Sequence, residues 1–395
     1  MALEVRTHND FPAEWAETQN GLGDALSERI RGIRAENIEK AIEHCQLAQL
    51  VRTREDFPAH WAKTQINLGF AYTDRIRGEK AENIEQAIEL FSQAEQVYTR
   101  DDFPTDWAMV QLDLASAYSD RIQGNKAESI EQSIEYCRLA LQVYTREDFP
   151  TDWARTQINL GFAYIDRIRG DKAENIERAI EYCQQALQVY THEDFPADWA
   201  MTQLDLGAAY IDRIRCDKAE NIEQAIEHYK QALRVYTREG FPADWAMVKI
   251  GLGVVYSDRI RRDKAENIEL AIEHLQQALQ VNTHEGYPIL WARIHVDLGA
   301  TFIDRIRGDK AENIELAIEH YQQALQVYTR EDFPEDWAMT QIGLGAAYID
   351  RIRRDKAENI EQAIEHYQQA LQVYTREDFP EDWARIQIGL GAAYI

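Results

Sequence analysis

EDFPADWA, from Glu193 to Ala200, is one of nine near-identical passages in a chain of 395 residues. Trp199 lies 46 residues after Trp153 and 46 before Trp245. Trp15, Trp61, Trp107, Trp291, Trp337 and Trp383 keep the same step, and together these are all nine tryptophans. The nine prolines, Pro12 through Pro380, each stand three residues before a tryptophan. A fixed period of this length is the signature of stacked supersecondary units. Such an array grows by addition and has no single core, so chain length does not imply two or three globular domains.

One unit, Phe195 to Gly240, reads as two helices. Pro196 suits a first helical position, where its missing N–H costs nothing and its φ is preset. Asp198 follows in the first turn and complements the positive helix end. The first helix is expected to run through ADWAMTQLDLGAAYIDRIR, with Arg213 and Arg215 in its last turn. Gly32, Gly78, Gly124, Gly170 and Gly308 occupy the next position, where a left-handed helix end is expected. Cys216, Arg262 and Arg354 depart from it. Asp217 with Glu220 reads as a capping box opening a second helix. Its apolar stripe is Ile222, Ile226, Tyr229, Leu233 and Tyr236. The expected division is 1–10 as the end of a preceding second helix, then units at 11–56, 57–102, 103–148, 149–194, 195–240, 241–286, 287–332 and 333–378. A lone first helix follows at 379–395.

QLDLGAAY followed by AIEHYKQAL and a proline resembles the tetratricopeptide repeat. Leu206, Gly207, Tyr210, Ala225, Tyr229, Ala232 and Pro242 match that pattern in order. Two features depart: the period is 46 rather than 34, and Gln203 stands at the usual first large position, with Trp199 one turn earlier. The longer form, FPxxWAxxQxxLGxAYxDRIRGDKAENIExAI, is similar to extended repeats of bacterial, especially cyanobacterial, proteins that often carry a caspase-like CHAT domain. The resemblance implies an all-α solenoid, a right-handed superhelix of antiparallel helix pairs, with first helices lining a concave peptide-binding surface.

The nine internal copies can be compared with one another. Counting from each Trp at 100° per residue, offsets 0, 5, 7, 8, 11, 12 and 15 cluster on one face, expected to be buried. In the fifth unit these are Trp199, Leu204, Leu206, Gly207, Tyr210, Ile211 and Ile214. Offsets 2, 6, 9 and 13 fall opposite, and many of the differences between copies concentrate there. Candidate groove residues are Met109, Arg155, Met201, Met247, Arg293 and Met339 at offset 2. Asn159, Asp205 and Asp297 stand at offset 6, and Phe162 at offset 9. Asp166, Asp212, Asp258, Asp304 and Asp350 form an acidic ladder at offset 13. Exposed methionine suits adaptable peptide contacts, glycine or short polar residues allow close approach, and the acidic ladder favours a basic ligand. Drift on a solvated face is the alternative.

Composition narrows the function. The chain is 45% hydrophobic and 28% charged, a folded composition, with a formal charge of −26. That charge disfavours nucleic acid and anionic membrane. No leader is read at MALEVRTHND, and the expected location is cytoplasmic. Cys45, Cys137 and Cys183 share one position with Phe91, Tyr229, Leu275, Tyr321 and Tyr367, which reads as packing rather than metal binding or disulfide formation. The ladder Gln19, Gln65, Gln111, Gln157, Gln203, Gln341 and Gln387, interrupted by Lys249 and His295, is expected to bond the adjoining helix. His44, His228, His274, His320 and His366 read as partly buried packing. Arginine in DRIRGDK reads as helix-end and inter-unit pairing rather than phosphate contact. No phosphate loop, metal spacing or nucleophile elbow appears, so no catalytic, cofactor or metal site is expected. The expectation is a scaffold that binds a protein or basic peptide. A self-associating spacer stacking end to end, and the sensor arm of a longer protein with a caspase-like effector, are the alternatives. Neither end carries a polar cap, from which a fragment of a longer protein is expected.

Overall fold

The computed structural model describes residues 7–29 and 31–394. The described residues form helices and turns, with no strand among them. The chain divides into two compact units, Met1–Asp194 and Phe195–Ile395. The first holds α1 (Pro12–Ser27), α2 (Arg34–Gln49), α3 (Pro58–Thr73), α4 (Lys80–Glu95), α5 (Pro104–Ser119), α6 (Lys126–Ala140), α7 (Pro150–Ile165) and α8 (Lys172–Ala186). The second holds α9 (Pro196–Asp212), α10 (Lys218–Ala232), α11 (Pro242–Asp258), α12 (Lys264–Leu279), α13 (Pro288–Ile303), α14 (Lys310–Ala324), α15 (Pro334–Asp350), α16 (Lys356–Ala370) and α17 (Pro380–Ala393). Odd-numbered helices are first helices and even-numbered ones are second helices. Within each unit a first helix packs on its own second helix and on the second helix before it, and most successive first helices also touch.

Local chemistry explains the boundaries. Each first helix begins at its proline, after an aromatic N-cap that makes no side-chain cap bond. The turn before it is closed instead by threonine: Thr53 Oγ1 accepts from the Asp56 N–H at 3.1 Å and donates to Asp56 Oδ2 at 2.9 Å. The second helices from α6 onward open on a side-chain cap, with Asp171 Oδ1 accepting from the Glu174 N–H at 2.8 Å and Asp263 from Glu266 at 2.7 Å, whereas α2 and α4 start after Ile33 and Glu79 without one. The core is built from small and branched residues. Ala200, Leu206, Ala209, Ala225 and Ala232 are 0% exposed, and Ile222 and Ile226 nearly so. Tyr98 and Tyr236 tie each pair across its length, donating to the carbonyls of Ala59 at 2.8 Å and Ala197 at 3.2 Å.

Three expectations about the first helix are corrected. It ends at Asp212, and Arg213 is already extended, so Arg213 and Arg215 lie beyond the last turn. The chain unwinds there because a buried asparagine of the second helix takes the freed carbonyls. Asn221 Nδ2 donates to the Arg213 and Arg215 carbonyls at 3.0 and 2.9 Å, and Asn83, Asn267 and Asn313 repeat the arrangement. Ile214 is therefore not part of the buried face. It is 63% exposed, as Ile76, Ile260 and Ile352 are at 61–64%. The left-handed position sits in this loop, just before the second-helix cap. Cys216, Arg262 and Arg354 adopt φ of 70–72° there, so they depart from glycine without departing from its conformation.

The tryptophans are half-buried rather than enclosed. Arg54, Arg100 and Arg146 lie 5.6, 5.9 and 5.8 Å from the rings of Trp61, Trp107 and Trp153. The glutamine ladder bonds the neighbouring second helices. Gln203 and Gln341 meet His228 and His366 at 2.7 and 2.6 Å, while Gln111 donates to Glu95 at 2.9 Å. His228 also stacks on Tyr210, with centroids 5.2 Å apart. At two units the amide is replaced, giving a Lys249–His274 contact at 3.5 Å and a His295–His320 contact at 2.8 Å. Burial lowers both His274 and His295 to about 4. No group of three or more metal-ligating side chains occurs among the described residues. No described helix is long and apolar enough to cross a membrane.

Candidate peptide-binding clefts

Successive first helices leave open clefts between them, and one of these recurs at the same repeat position in each unit. In the first unit a cavity of about 350 Å³ lies between α5 and α7. Ser116, Ser119 and Asp120 line one wall, and Asn159, Phe162 and Asp166 the other. In the second unit a cavity of about 330 Å³ lies between α11 and α13. Val254, Ser257 and Asp258 face Asp297, Ala300 and Asp304 there, with Lys218 and Lys264 at the edge. The two clefts use equivalent positions of the repeat: offsets 9, 12 and 13 of one first helix, and 6, 9 and 13 of the next.

The expected groove residues separate into three groups. Met201, Met247 and Met339 are 38–42% exposed and Phe162 is 44% exposed. Arg155 and Arg293 are exposed too, as are Asp166, Asp212, Asp258, Asp304 and Asp350. Met109 is half-buried against the core that contains Val110 and Leu114. Offset 6 does not lie on the open face. Asp205 and its equivalent Asp113 are each only 7% exposed, while Asn159 and Asp297 are half-buried at cleft floors. A wheel drawn for one helix misplaces this position because, within a unit, the preceding second helix covers it, as Tyr229 covers Gly251.

The acidic ladder is partly neutralised from within. Lys218 reaches Asp258 at 3.1 Å, Lys264 approaches Asp304 at 3.9 Å, and Arg34 pairs with Asp74. These lysines open second helices, and sequence reasoning passed over them because their partners lie 40 residues away. Within each unit, the arginine that follows a ladder residue ties neighbouring pairs. Arg121 forks onto Glu85 at 2.7 and 2.9 Å, and Arg305 onto Glu269 at 2.8 Å through both nitrogens. Hydrogen bonding to Arg305 holds the Glu269 carboxyl below its ordinary range.

Burial acts the other way on the floor carboxylates. Asp113 is pushed up to about 7, Asp205 to about 8 and Asp297 to about 6. In each, Oδ2 is enclosed and has no hydrogen-bond partner. Asn159, by contrast, donates to Ser116 Oγ at 3.1 Å across its cleft.

The fold has solved counterparts. Over 97% of its length the chain is similar to a signal-transduction ATPase with numerous domains (STAND) carrying a tetratricopeptide repeat sensor, from Pyrococcus horikoshii, at 15% identity and TM-score 0.55. It spans 55% of that protein. It is similar to the apo form of RapI at 13% identity and TM-score 0.54, covering 96% of this chain and 94% of that one. These likenesses show a helical-repeat fold. No individual curated protein matches. The Sel1 repeat model matches residues 16–48, 62–96, 154–188, 200–234, 246–280, 306–326 and 338–372, more than half of the sequence. The chain belongs to the Sel1-repeat family, whose helix pairs are of the tetratricopeptide kind.

Proposed function

We propose that this protein is a non-enzymatic scaffold that binds an extended, basic segment of a partner protein along the exposed faces of its first helices. The observation that carries this reading is the recurrence of one cleft in both units, at equivalent positions and with an aspartate on each rim. Methionine and phenylalanine stand on the same face, where an adaptable apolar surface is useful for peptide contacts. A formal charge of −26 draws a cationic partner and speeds its encounter. The likeness to a chain bearing a repeat sensor agrees with a recognition role but supports it only at the level of fold.

Selection of a random peptide library on the purified chain tests this. Enrichment of Lys and Arg is expected, with binding that weakens as salt rises. Asp120→Lys with Asp166→Lys should reduce binding at least tenfold while the circular dichroism spectrum is kept. Selection of peptides without basic residues, or none at all, would overturn the reading. Light-scattering mass that climbs with protein concentration would favour a self-associating spacer instead.

A further inference from the structure

The position beneath each cleft varies in a coupled way. Within the two units, seven steps join a second-helix residue to the first-helix residue 22 positions later. At three of them Tyr229, Tyr321 and Tyr367 precede Gly251, Gly343 and Gly389. A Cβ on Gly251 would stand 2.5 Å from Tyr229 Cζ and 2.8 Å from its hydroxyl, and Gly343 and Gly389 meet the same obstruction. At the other four steps the pairs are Cys45 with Asn67, Phe91 with Asp113, Cys137 with Asn159, and Leu275 with Asp297. None of those second-helix residues has a hydroxyl, and every partner is Asn or Asp. Each step thus carries one polar side chain at this place, sent either from the second helix or from the next first helix.

The Leu275–Asp297 step is the one where this exchange leaves an open cavity with a carboxylate at its floor. Its charges can be counted. At the rim, Asp258 and Asp304 are matched by Lys218 and Lys264. At the floor, Asp297 Oδ2 is enclosed and unpartnered. Arg293, one turn earlier on α13, influences it only through space. A buried carboxylate without a partner is costly, and a hydrogen-bonded cation removes that cost.

We propose that the cleft between α11 and α13 is a pocket for one lysine or arginine side chain of a bound polypeptide, with Asp297 as its counter-ion; this rests on the peptide-binding reading above. Ser257 and Thr301 join hydroxyl to hydroxyl at 3.1 Å across the cleft. The aliphatic stem lies along Val254 and Ala300, and the cation reaches Asp297 beside that bond. The pocket fixes the register of a ligand on an otherwise repetitive surface.

The chain itself supplies the closing variant. Leu275→Tyr with Asp297→Gly rebuilds this step as the Tyr–Gly kind, filling the cavity with a pairing the protein already uses three times. The probes are fluorescein-labelled Gly-Ser-X-Ser-Gly peptides with X as Arg, Lys or norleucine, read by anisotropy against the full chain. Arg and Lys peptides are expected to bind at least tenfold tighter than norleucine. That preference should disappear in Asp297→Asn and in the double variant, with folding checked by circular dichroism. Preference that survives the double variant overturns the pocket, because attraction to the −26 field of the whole chain is barely changed by one aspartate. Equal binding of all three peptides overturns the pocket and the preference for basic segments, and leaves only peptide binding as such standing. Absence of any peptide binding overturns both.

Discussion

The Tyr–Gly steps and the Asn or Asp steps accomplish one packing task from opposite sides, and they differ in what they leave behind. At Tyr321 the ring is 4% exposed and wedged between two glycines, Gly299 in its own pair and Gly343 in the next. A Cβ on either would stand within 3 Å of that ring. At Cys137 the corresponding side chain is equally buried but much smaller, and the neighbouring cleft stays open over Asn159. The first arrangement is a filled joint. The second keeps space and a polar group for something else. Comparing them teaches that the array is not uniform, although its sequence is close to repetitive.

The largest effect expected from breaking this comparison is Tyr321→Ala. It removes a ring enclosed on both sides and leaves a cavity, costing about 3–5 kcal/mol. Cys137→Ala should cost much less, about 1 kcal/mol, because one sulfur is lost beside space that is already open. Urea denaturation of the two variants checks this. Equal costs would mean that the two kinds of step are mechanically alike.

Much of this was legible in the sequence, and the losses have physical causes. Nine copies of Pro-x-x-Trp placed every first helix, and Asp-x-x-Glu placed most second helices. What failed was the end of the first helix, where DRIR continues the helical apolar rhythm. The rhythm is broken by Asn221 and its equivalents, whose amides take the Arg213 and Arg215 carbonyls. A side chain eight residues downstream is invisible to a periodicity count. Offset 6, which lines a cleft at Asn159 and Asp297 but is covered at Asp113 and Asp205, was only half legible for a related reason. A helix with one buried face can be read from its own sequence, but the first helix here packs against two second helices. The signal that would have exposed it was present: Gly251, Gly343 and Gly389 follow tyrosines, while Asn67, Asp113 and Asp297 follow none.

Ionisation sharpens the comparison next. Tyr–Gly steps carry no group that titrates near neutrality, whereas Asp113 and Asp297 are pushed up to about 7 and about 6 by burial. The unfolded chain releases these protons near the ordinary aspartate value, and the folded chain releases them later. Their contribution is fully present below about pH 4 and is lost as pH rises through about 7. Stability should therefore fall between those limits. Asp113→Asn should flatten the fall, and at pH 8 it should recover part of the 1–3 kcal/mol typical of an unpartnered buried group. Arg155 partly offsets the shift at Asp113, so Arg155→Ala should steepen the fall. A pH-stability curve unchanged by Asp113→Asn would refute the assignment.

The smallest expected effect separates the two kinds of ion pair that border the clefts. Arg305 grips Glu269 through two nitrogens, with both side chains about a quarter exposed. Lys264 and Asp304 meet at 3.9 Å, with side chains 50% and 60% exposed. Screening and side-chain entropy leave such exposed pairs worth about 0–1 kcal/mol, and only the forked geometry favours the upper end. Glu269→Gln is therefore expected to cost about 1 kcal/mol at neutral pH. Its cost should shrink as pH falls through the range where the lowered Glu269 carboxyl takes up its proton. Lys264→Ala is expected to leave stability within experimental error while deepening the negative potential of the cleft. The forked pairs hold neighbouring helix pairs in place, whereas the lysines at the rim moderate charge. A basic peptide should accordingly bind Lys264→Ala more tightly and Glu269→Gln without change. Weaker peptide binding by Lys264→Ala would place that lysine among the groups that hold the cleft open, and the distinction between joint and rim would have to be redrawn.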